Sequence, residues 1–249
     1  MDMGTSIFQI VNPAVAVILA ILLVRFAWTV WFSSAWLPAE WRDAARKGRL
    51  SPRLRRLSRT YPDKVRFYSW WMQVDRLRRD RIPGAFAEVG VYKGESAKVL
   101  HEMDPDRLFH LFDTFEGFDA DDLSRETGEA ASYTTRHFAD TAIKDVLKRV
   151  GGNSNISLHP GYFPETAAVV AEEEFALVNL DADLYLPTLA ALEFFYERLS
   201  PGGVIFVHDC NHKWEGIRKA VGEFSIATGE IPVLLPDADS TAVFIKRIK

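Results

Sequence analysis

The stretch Phe86-Ala-Glu-Val-Gly90-Val-Tyr-Lys-Gly94-Glu-Ser-Ala97, followed by Leu111-Phe112-Asp113, decides the fold of this chain. It predicts a strand, a glycine turn, a helix that begins near Gly94, and a second strand that ends in Asp113. Glycines at these positions let the backbone approach a ligand closely, and the N–H groups that open a helix favour a carboxylate or phosphate. Asp113 is placed to accept hydrogen bonds from a ribose diol. The stretch therefore predicts a βαβ unit that binds a nucleotide-like cofactor.

The glycine spacing departs from the dinucleotide fingerprint G-x-G-x-x-G, because Glu88 stands where its first glycine would be. This disfavours a nicotinamide-dependent reductase and favours a nucleoside that carries an amino acid, S-adenosylmethionine. The structural alternative is a glycine turn that only joins strand to helix, as in many α/β proteins. We expect Gly90, Gly94 and Asp113 to contact the cofactor.

The amino-acid composition limits the size of the core, the classes of partner and the types of metal site that the chain can have. A chain of 249 residues with 48% hydrophobic and 26% charged residues has enough apolar material for one sizeable α/β core and an appendage. The net charge of −4 argues against nucleic acid as a partner. Cys210 is the single cysteine, which excludes an internal disulfide and a cysteine-cluster metal site.

Residues 1–36 differ in composition from the rest of the chain. Between Ile7 and Val24 the only polar side chains are Gln9 and Asn12, and the apolar run continues past Arg25. Such a run predicts a membrane-spanning helix, with a signal peptide or a helix buried in an oligomer as the alternatives. A signal peptide is disfavoured because the first residues carry no positive charge.

The charge distribution predicts an orientation for that helix. Nine Lys or Arg residues and two acids lie from Arg25 to Arg59, and no basic residue precedes Arg25. By the positive-inside rule we expect a single-pass membrane protein with its C-terminal domain in the cytoplasm and the lipid bilayer as a partner. Residues 37–64 would form a basic juxtamembrane segment.

Residues 65–249 are predicted to form one domain. Apolar residues at helical spacing between Val65 and Arg81 predict a helix packed on a core. Beyond them, apolar strand segments alternate with helical ones, which predicts an α/β fold with a mainly parallel sheet and helices on both faces. The expected strands are 85–89, 108–112, 156–159, 176–180, 204–207 and 242–245.

Polar residues follow two of these strands where they end. Asp181 and Asp183 follow one strand, and His208 and Asp209 follow the next. Carboxyl ends of neighbouring parallel strands meet at one edge of the sheet, so these side chains are candidates for a divalent cation. Oxygen ligands favour Mg²⁺, whereas a histidine ligand would favour Mn²⁺, Fe²⁺ or Zn²⁺. The structural alternative is that the acids cap the elements that follow.

Six motifs in order resemble the macrocin O-methyltransferase family. They are Glu88–Ser96, Phe112–Gly117, Gly161–Thr166, Asp181–Tyr185, Leu199–Gly203 and Trp214–Val221. The resemblance covers roughly residue 70 to the C-terminus. It implies a Rossmann-like class I methyltransferase fold, S-adenosylmethionine as cofactor, Mg²⁺ as the usual cation, and a sugar or other small-molecule hydroxyl as acceptor.

The resemblance also implies roles for individual residues. Glu88 and Gly90 would line the methionine end of the cofactor, Asp113 would hold the ribose, and Asp181, His208 and Asp209 would be metal ligands. The family often has two consecutive acids where this chain has His208-Asp209. Either Asp181 or His208 would be the catalytic base.

Two functions follow from the combined observations. The first is a methyltransferase that acts on a hydroxyl compound near the membrane. The second is a catalytically inactive methyltransferase-like subunit of a membrane protein complex, which the histidine at position 208 and the apolar N-terminus would fit.

Overall fold

The computed structural model describes residues 3–32, 37–151 and 154–248, with 3–12 and 29–32 described as helical backbone only. The chain divides into two compact units, Met1–Leu50 and Ser51–Lys249. The basic segment 37–64 of the sequence prediction is thus shared between them. The first unit contains α1 (Met3–Phe32) and α2 (Ala39–Arg46).

Within the described residues, no helix combines the length and the apolarity that a bilayer span requires. This corrects the prediction of a transmembrane helix at residues 1–36, and with it the predicted single-pass topology and membrane location. The side chains of α1 are described over residues 13–28. Arg25 interrupts the apolar run within that stretch, and a charged side chain at the depth of the bilayer is costly. Residues 1–2 and 33–36 of the predicted segment lie outside the described residues.

The second unit contains three layers of helix, sheet and helix. Its helices are α3 (Pro52–Thr60), α4 (Lys64–Arg79), α5 (Glu95–Met103), α6 (Ala120–Leu123), α7 (Ile143–Val150), α8 (Tyr185–Arg198) and α9 (Glu215–Thr228). Its strands are β1 (Ala85–Val89), β2 (Phe109–Asp113), β3 (Ile156–Pro160), β4 (Phe175–Leu180), β5 (Leu199–Val207), β6 (Val233–Leu234) and β7 (Ala242–Ile245).

The seven strands form one sheet in the order β3-β2-β1-β4-β5-β7-β6. The first five pair in parallel, and β7 is antiparallel to both β5 and β6. All five residues of β1 and all six of β4 are buried, as expected for central strands covered on both faces. This order confirms the predicted Rossmann-like α/β class.

Helix α4 follows the apolar periodicity of its sequence. Its stripe of Phe67, Trp70, Trp71, Val74 and Leu77 is at most 4% exposed at any position. Asp63 caps the helix, and its side chain accepts a hydrogen bond from Arg66 N. The predicted core-packed helix is therefore confirmed, with bounds displaced by one or two residues.

Backbone hydrogen bonds continue the parallel ladder beyond the strand ends. Gly90 N donates to Phe112 O at 2.9 Å, Asp181 N to Val89 O at 2.8 Å, and His208 N to Leu180 O at 2.9 Å. These bonds hold the turns that follow β1, β4 and β5 side by side. The residues of those turns consequently share one edge of the sheet.

Candidate active site

A cavity of about 520 Å³ opens at the carboxyl ends of β1, β2, β4 and β5. Its wall includes the turn after β1, the start of α5, the loop after β2, and the acidic turns after β4 and β5. Cavities of this size at this edge of a parallel sheet are typical ligand sites. The predicted site residues can be placed relative to this wall.

The turn after β1 needs glycine at position 90. Gly90 has φ +85° and lines the cavity. A Cβ added there would lie 1.9 Å from Asp181 O, so the two strand ends pack backbone to backbone. Gly94 also has a positive φ, but its missing Cβ faces Val146 and Val150 rather than the cavity. Of the two predicted glycines, Gly90 therefore lies at the site and Gly94 serves helix packing.

Asp113 lines the cavity at the tip of β2 and organises the loops around it. Its Oδ2 accepts hydrogen bonds from Val91 N at 2.8 Å and Tyr92 N at 2.7 Å. Its Oδ1 accepts one from Phe115 N at 2.7 Å. The carboxylate thus ties the glycine turn to the loop after β2, and its Oδ1, which accepts only one of these hydrogen bonds, retains acceptor capacity for a hydroxyl of a bound ligand.

Glu88 lies beneath the cavity and is fully buried. Its Oε1 accepts hydrogen bonds from Ser96 Oγ and Asn179 Nδ2, whereas its Oε2 has no partner among the described residues. Burial raises the pKa of Glu88 to about 8. A charged carboxyl oxygen that is buried without a donor is costly, which agrees with the raised pKa of this group.

Three carboxylates converge where β4 and β5 end. Asp181, Asp183 and Asp209 each offer one oxygen within 4.8 Å of the others, and all three line the cavity. Asp183 and Asp209 have φ values of +61° and +58°, a region that aspartate visits more readily than most residues. These left-handed turns help to bring the carboxylates that follow β4 and β5 together at the cavity wall. Asp183 was among the candidates that follow the two strands, but the ligand set implied by the family resemblance, Asp181, His208 and Asp209, does not include it.

The carboxylates oppose one another's ionisation. Burial, and then the charge of Asp181, raises the pKa of Asp209 to about 7. The same two causes raise the pKa of Asp183 well above its ordinary value. Hard divalent cations take oxygen ligands of this kind, so the cluster fits Mg²⁺ or Mn²⁺.

His208 lies behind this cluster and not in the cavity wall. Its ring is 2% exposed and its Nε2 is 2.7 Å from Asn179 Oδ1. Its Nδ1 has no hydrogen-bond partner in the described chain and lies 4.0 Å from Asp181 Oδ2. Burial lowers the pKa of His208, which favours a neutral imidazole. The structure therefore places one nitrogen of His208 towards Asp181 and commits the other to Asn179.

An arginine from α4 reaches the same end of the cavity. Arg66 Nε donates to Asp237 Oδ2 at 3.0 Å, and its Nη2 donates to Asp239 Oδ2 at 2.7 Å. The Arg66 side chain is 12% exposed and that of Asp237 is fully buried. The ion pair fastens α4 to the loop before β7. Sequence reasoning missed it because its partners lie more than 170 residues apart.

We expect Arg66→Met to lower the free energy of unfolding by about 3 kcal/mol, because it leaves the buried Asp237 carboxylate without its cation. Arg79→Met is the matched control, since Arg79 pairs with Asp80 on the surface of the same helix. That change should cost less than about 1 kcal/mol. Urea unfolding of both variants at neutral pH measures the difference. Equal losses would show that the Arg66 pair contributes no more than a surface pair.

Aromatic rings form the remaining side of the cavity. Tyr133 and Trp214 lie with ring centroids 5.5 Å apart, and Phe118 and Phe138 pack against Tyr133. Tyr162, from the predicted family motif, also lines the cavity and donates a hydrogen bond to Asp122 Oδ2 at 2.8 Å. Aromatic faces beside a few acids suit a ligand with apolar faces and hydroxyl groups.

The amino-acid sequence of this chain is similar to those of known proteins. Residues 41–247 match the model of the family described as Macrocin-O-methyltransferase (TylF). A 4'-O-methyltransferase of 8-demethyl-8-(2,3-dimethoxy-alpha-L-rhamnosyl)-tetracenomycin-C from Streptomyces olivaceus is 27% identical over 69% of this chain and 69% of its own. Mycinamicin III 3''-O-methyltransferase from Micromonospora griseorubida is 28% identical over 61% of this chain and 64% of its own.

A solved structure supports the fold. The O-methyltransferase NovP superposes with a TM-score of 0.64 at 19% identity, over 74% of this chain and 81% of that one. The family match confirms the resemblance found in the sequence and favours an enzyme over a non-catalytic subunit. The chain belongs to the macrocin-O-methyltransferase family and is an S-adenosylmethionine-dependent O-methyltransferase.

Proposed function

We propose that this enzyme methylates a hydroxyl group of a sugar or of a similar small polyhydroxylated molecule, with help from a divalent cation held by Asp181, Asp183 and Asp209. The observation that carries the proposal is the convergence of these three carboxylates within 4.8 Å in the wall that also contains the glycine turn. The names of the two relatives, a 4'-O-methyltransferase of a rhamnosyl-tetracenomycin and a 3''-O-methyltransferase of mycinamicin III, support the acceptor class.

The cofactor residues are proposed from the cavity wall. Gly90 lets the bound cofactor pass close to the backbone, and Asp113 offers the remaining lone pair of its Oδ1 to a ribose hydroxyl. Glu88 acts from below through the turn it supports, since it has no surface in the cavity. When bound, S-adenosylmethionine supplies an activated sulfonium methyl group.

The acidic residues are proposed to prepare the acceptor. A cation bound at the cluster lowers the pKa of a coordinated hydroxyl. Asp181, Asp183 and Asp209 would hold the cation and offset part of its charge. As the methyl group moves from sulfur to oxygen, the hydroxyl proton would pass to a carboxylate oxygen of the cluster that the cation leaves free. Tyr133 and Trp214 pack against the acceptor ring and hold the reacting oxygen in line with the methyl group.

The cofactor site is tested by calorimetric titration of S-adenosylhomocysteine into the full chain and its Asp113→Ala variant. We expect at least a tenfold loss of affinity, on the order of one charged hydrogen bond, because three backbone N–H groups lose their acceptor and the ribose loses its own. Asp106→Ala is the control, since Asp106 is exposed near the amino end of β2. Unchanged affinity in Asp113→Ala would contradict the proposed ribose contact.

The acceptor class is tested separately. The enzyme is incubated with S-adenosylmethionine, Mg²⁺ and a panel of methyl hexosides and 6-deoxyhexosides, and mass spectrometry detects methylated products. Transfer to at least one sugar is expected. A protein that binds S-adenosylhomocysteine but methylates catechols and no sugar would overturn the proposed acceptor class while leaving the enzyme class intact.

A further inference from the structure

A chain of buried hydrogen bonds runs beneath the cavity from its cofactor side to its acidic side. Ser96 Oγ, which lines the cavity, donates to Glu88 Oε1 at 2.5 Å, and Asn179 Nδ2 donates to the same oxygen at 2.9 Å. Asn179 Oδ1 in turn lies 2.7 Å from His208 Nε2. The chain thus joins α5, β1, β4 and the residue after β5, and it ends 4.0 Å from Asp181.

The middle of this series of hydrogen bonds is inaccessible to solvent. Glu88 and Asn179 are 0% exposed and His208 is 2% exposed. The ring of Trp70 covers the imidazole, with centroids 5.7 Å apart. Polar groups in such a place keep their partners, because exchanging a protein hydrogen bond for water is not possible there. The orientation of each member is therefore set by its neighbours.

The donors and acceptors fix the direction of the chain. Glu88 Oε1 is an acceptor for Ser96, so the Asn179 amide group presents its NH₂ to Glu88 and its carbonyl oxygen to His208. His208 must then donate through Nε2–H. In a neutral imidazole this leaves Nδ1 as a bare acceptor. That acceptor faces Asp181 across 4.0 Å and has no partner in the described residues.

Two acceptors at this separation suit one shared donor. Two hydrogen bonds of ordinary length, about 2.8 Å each, span 4.0 Å when the donor's angle is about 90°. A water bound to a cation at the carboxylate cluster offers two O–H donors. The imidazole would then steady Asp181 and a cation-bound water together, without itself being a ligand.

We propose that Asn179 is a positioning residue for the cation site, which it acts on through the fixed ring of His208. This inference rests on the proposed function, because it takes Asp181, Asp183 and Asp209 as the cation's ligands. It gives His208 a supporting role in place of the ligand role predicted from the sequence. Loss of such an outer partner commonly weakens metal binding by about 10–100-fold.

The test is Asn179→Leu, which keeps the number and branching of the side-chain heavy atoms and removes both hydrogen bonds. Mn²⁺ is titrated calorimetrically into the full chain, and S-adenosylhomocysteine is titrated into the same preparation. We expect Mn²⁺ to bind about 10–100-fold more weakly in the variant. S-adenosylhomocysteine affinity should change by less than about threefold, because Ser96 still holds Glu88.

Thr188→Val is the matched control. Thr188 is 1% exposed, and its hydroxyl has no hydrogen-bond partner in the described part of the chain. The change likewise replaces a polar group by an apolar one with the same branching, but it removes no hydrogen bond between Ser96, Glu88, Asn179 and His208. Mn²⁺ affinity should equal that of the wild type, which separates a loss of positioning from a general loosening of the core.

A second variant keeps the proposal testable if Asn179→Leu does not fold. His208→Phe retains a ring against Trp70 and removes both nitrogens, so it should weaken Mn²⁺ binding to a similar degree. In the double variant the two losses of Mn²⁺ affinity should not add, because both changes interrupt the same series of hydrogen bonds. Wild-type Mn²⁺ affinity in the folded variants would overturn the role of Asn179. Absence of Mn²⁺ binding to the wild type, seen before any comparison, would instead overturn the proposed cation.

Discussion

Gly90→Ala should destabilise the protein by about 2–5 kcal/mol and abolish measurable binding of S-adenosylhomocysteine, because the added methyl group adds overpacking to backbone strain. Its Cβ would lie 1.9 Å from Asp181 O and 2.5 Å from Asp181 C. Neither atom is the end of a flexible side chain, so β1 and β4 must separate. Their separation moves the glycine turn and the first acid of the cluster together.

Gly229→Ala isolates the collision from the backbone strain. Gly229 has φ +71°, close to the φ of +85° at Gly90, yet a Cβ added there meets nothing within 4 Å. This control should cost about 1 kcal/mol, the price of a left-handed alanine, and leave ligand binding intact. Urea unfolding and calorimetry are carried out on both variants. Equal stabilities and equal affinities would show that the contact between the strand ends is not close enough to matter.

Elements of the fold can be predicted from the sequence where their signals lie next to one another in the chain. The strand at 85–89 was predicted with the bounds that the structure has, because an apolar run, a glycine turn and a helix start lie next to one another in the chain. Strand β6 was missed, since two residues, Val233 and Leu234, carry no periodicity. The N-terminal segment was misjudged because hydropathy was its only signal.

For the candidate site, sequence-based prediction is limited in a different way. Gly90, Asp113, Asp181 and Asp209 were predicted from their position at strand ends, and all four line the cavity. For Asp183 the sequence leaves two alternatives, a cation ligand and a helix cap, because its place in the cluster depends on a φ of +61° that no residue pattern reveals.

His208 illustrates the limit most clearly. Asp209 follows it directly in the sequence, and this pair predicts a shared role as ligands. The parallel register of β4 and β5 instead sets Asn179 beside Phe206, and the Asn179 side chain holds the histidine ring behind the cluster. Partners of this kind are chosen by strand pairing between distant segments, so a local motif cannot identify them.

Asp181→Asn and Asp209→Asn should each lower turnover by at least about 100-fold while making the cation-free protein more stable. Turnover falls because the cation loses a ligand, and stability rises because repulsion is relieved. Burial, and then the repulsion among three carboxylates within 4.8 Å of one another, raises the pKa of Asp209 to about 7 and that of Asp183 well above its ordinary value. Removing one charge relieves that repulsion by about 1 kcal/mol, in the range of other stabilising substitutions at functional sites.

Opposite changes in activity and stability distinguish a cation site from a structural cluster. Asp106→Asn, at an exposed position, removes the same charge and should alter neither property. Turnover is measured with Mg²⁺, with a chelator and with Mg²⁺ restored, and stability is measured by urea unfolding in the chelator. If both cluster variants keep full turnover and the chelator has no effect, the carboxylates do not act through a cation. If the variants lose stability as well as turnover, the cluster holds the fold together and the activity loss is secondary. Neutralising one carboxylate stabilises the protein only if repulsion among the like charges of the cluster destabilises the folded state.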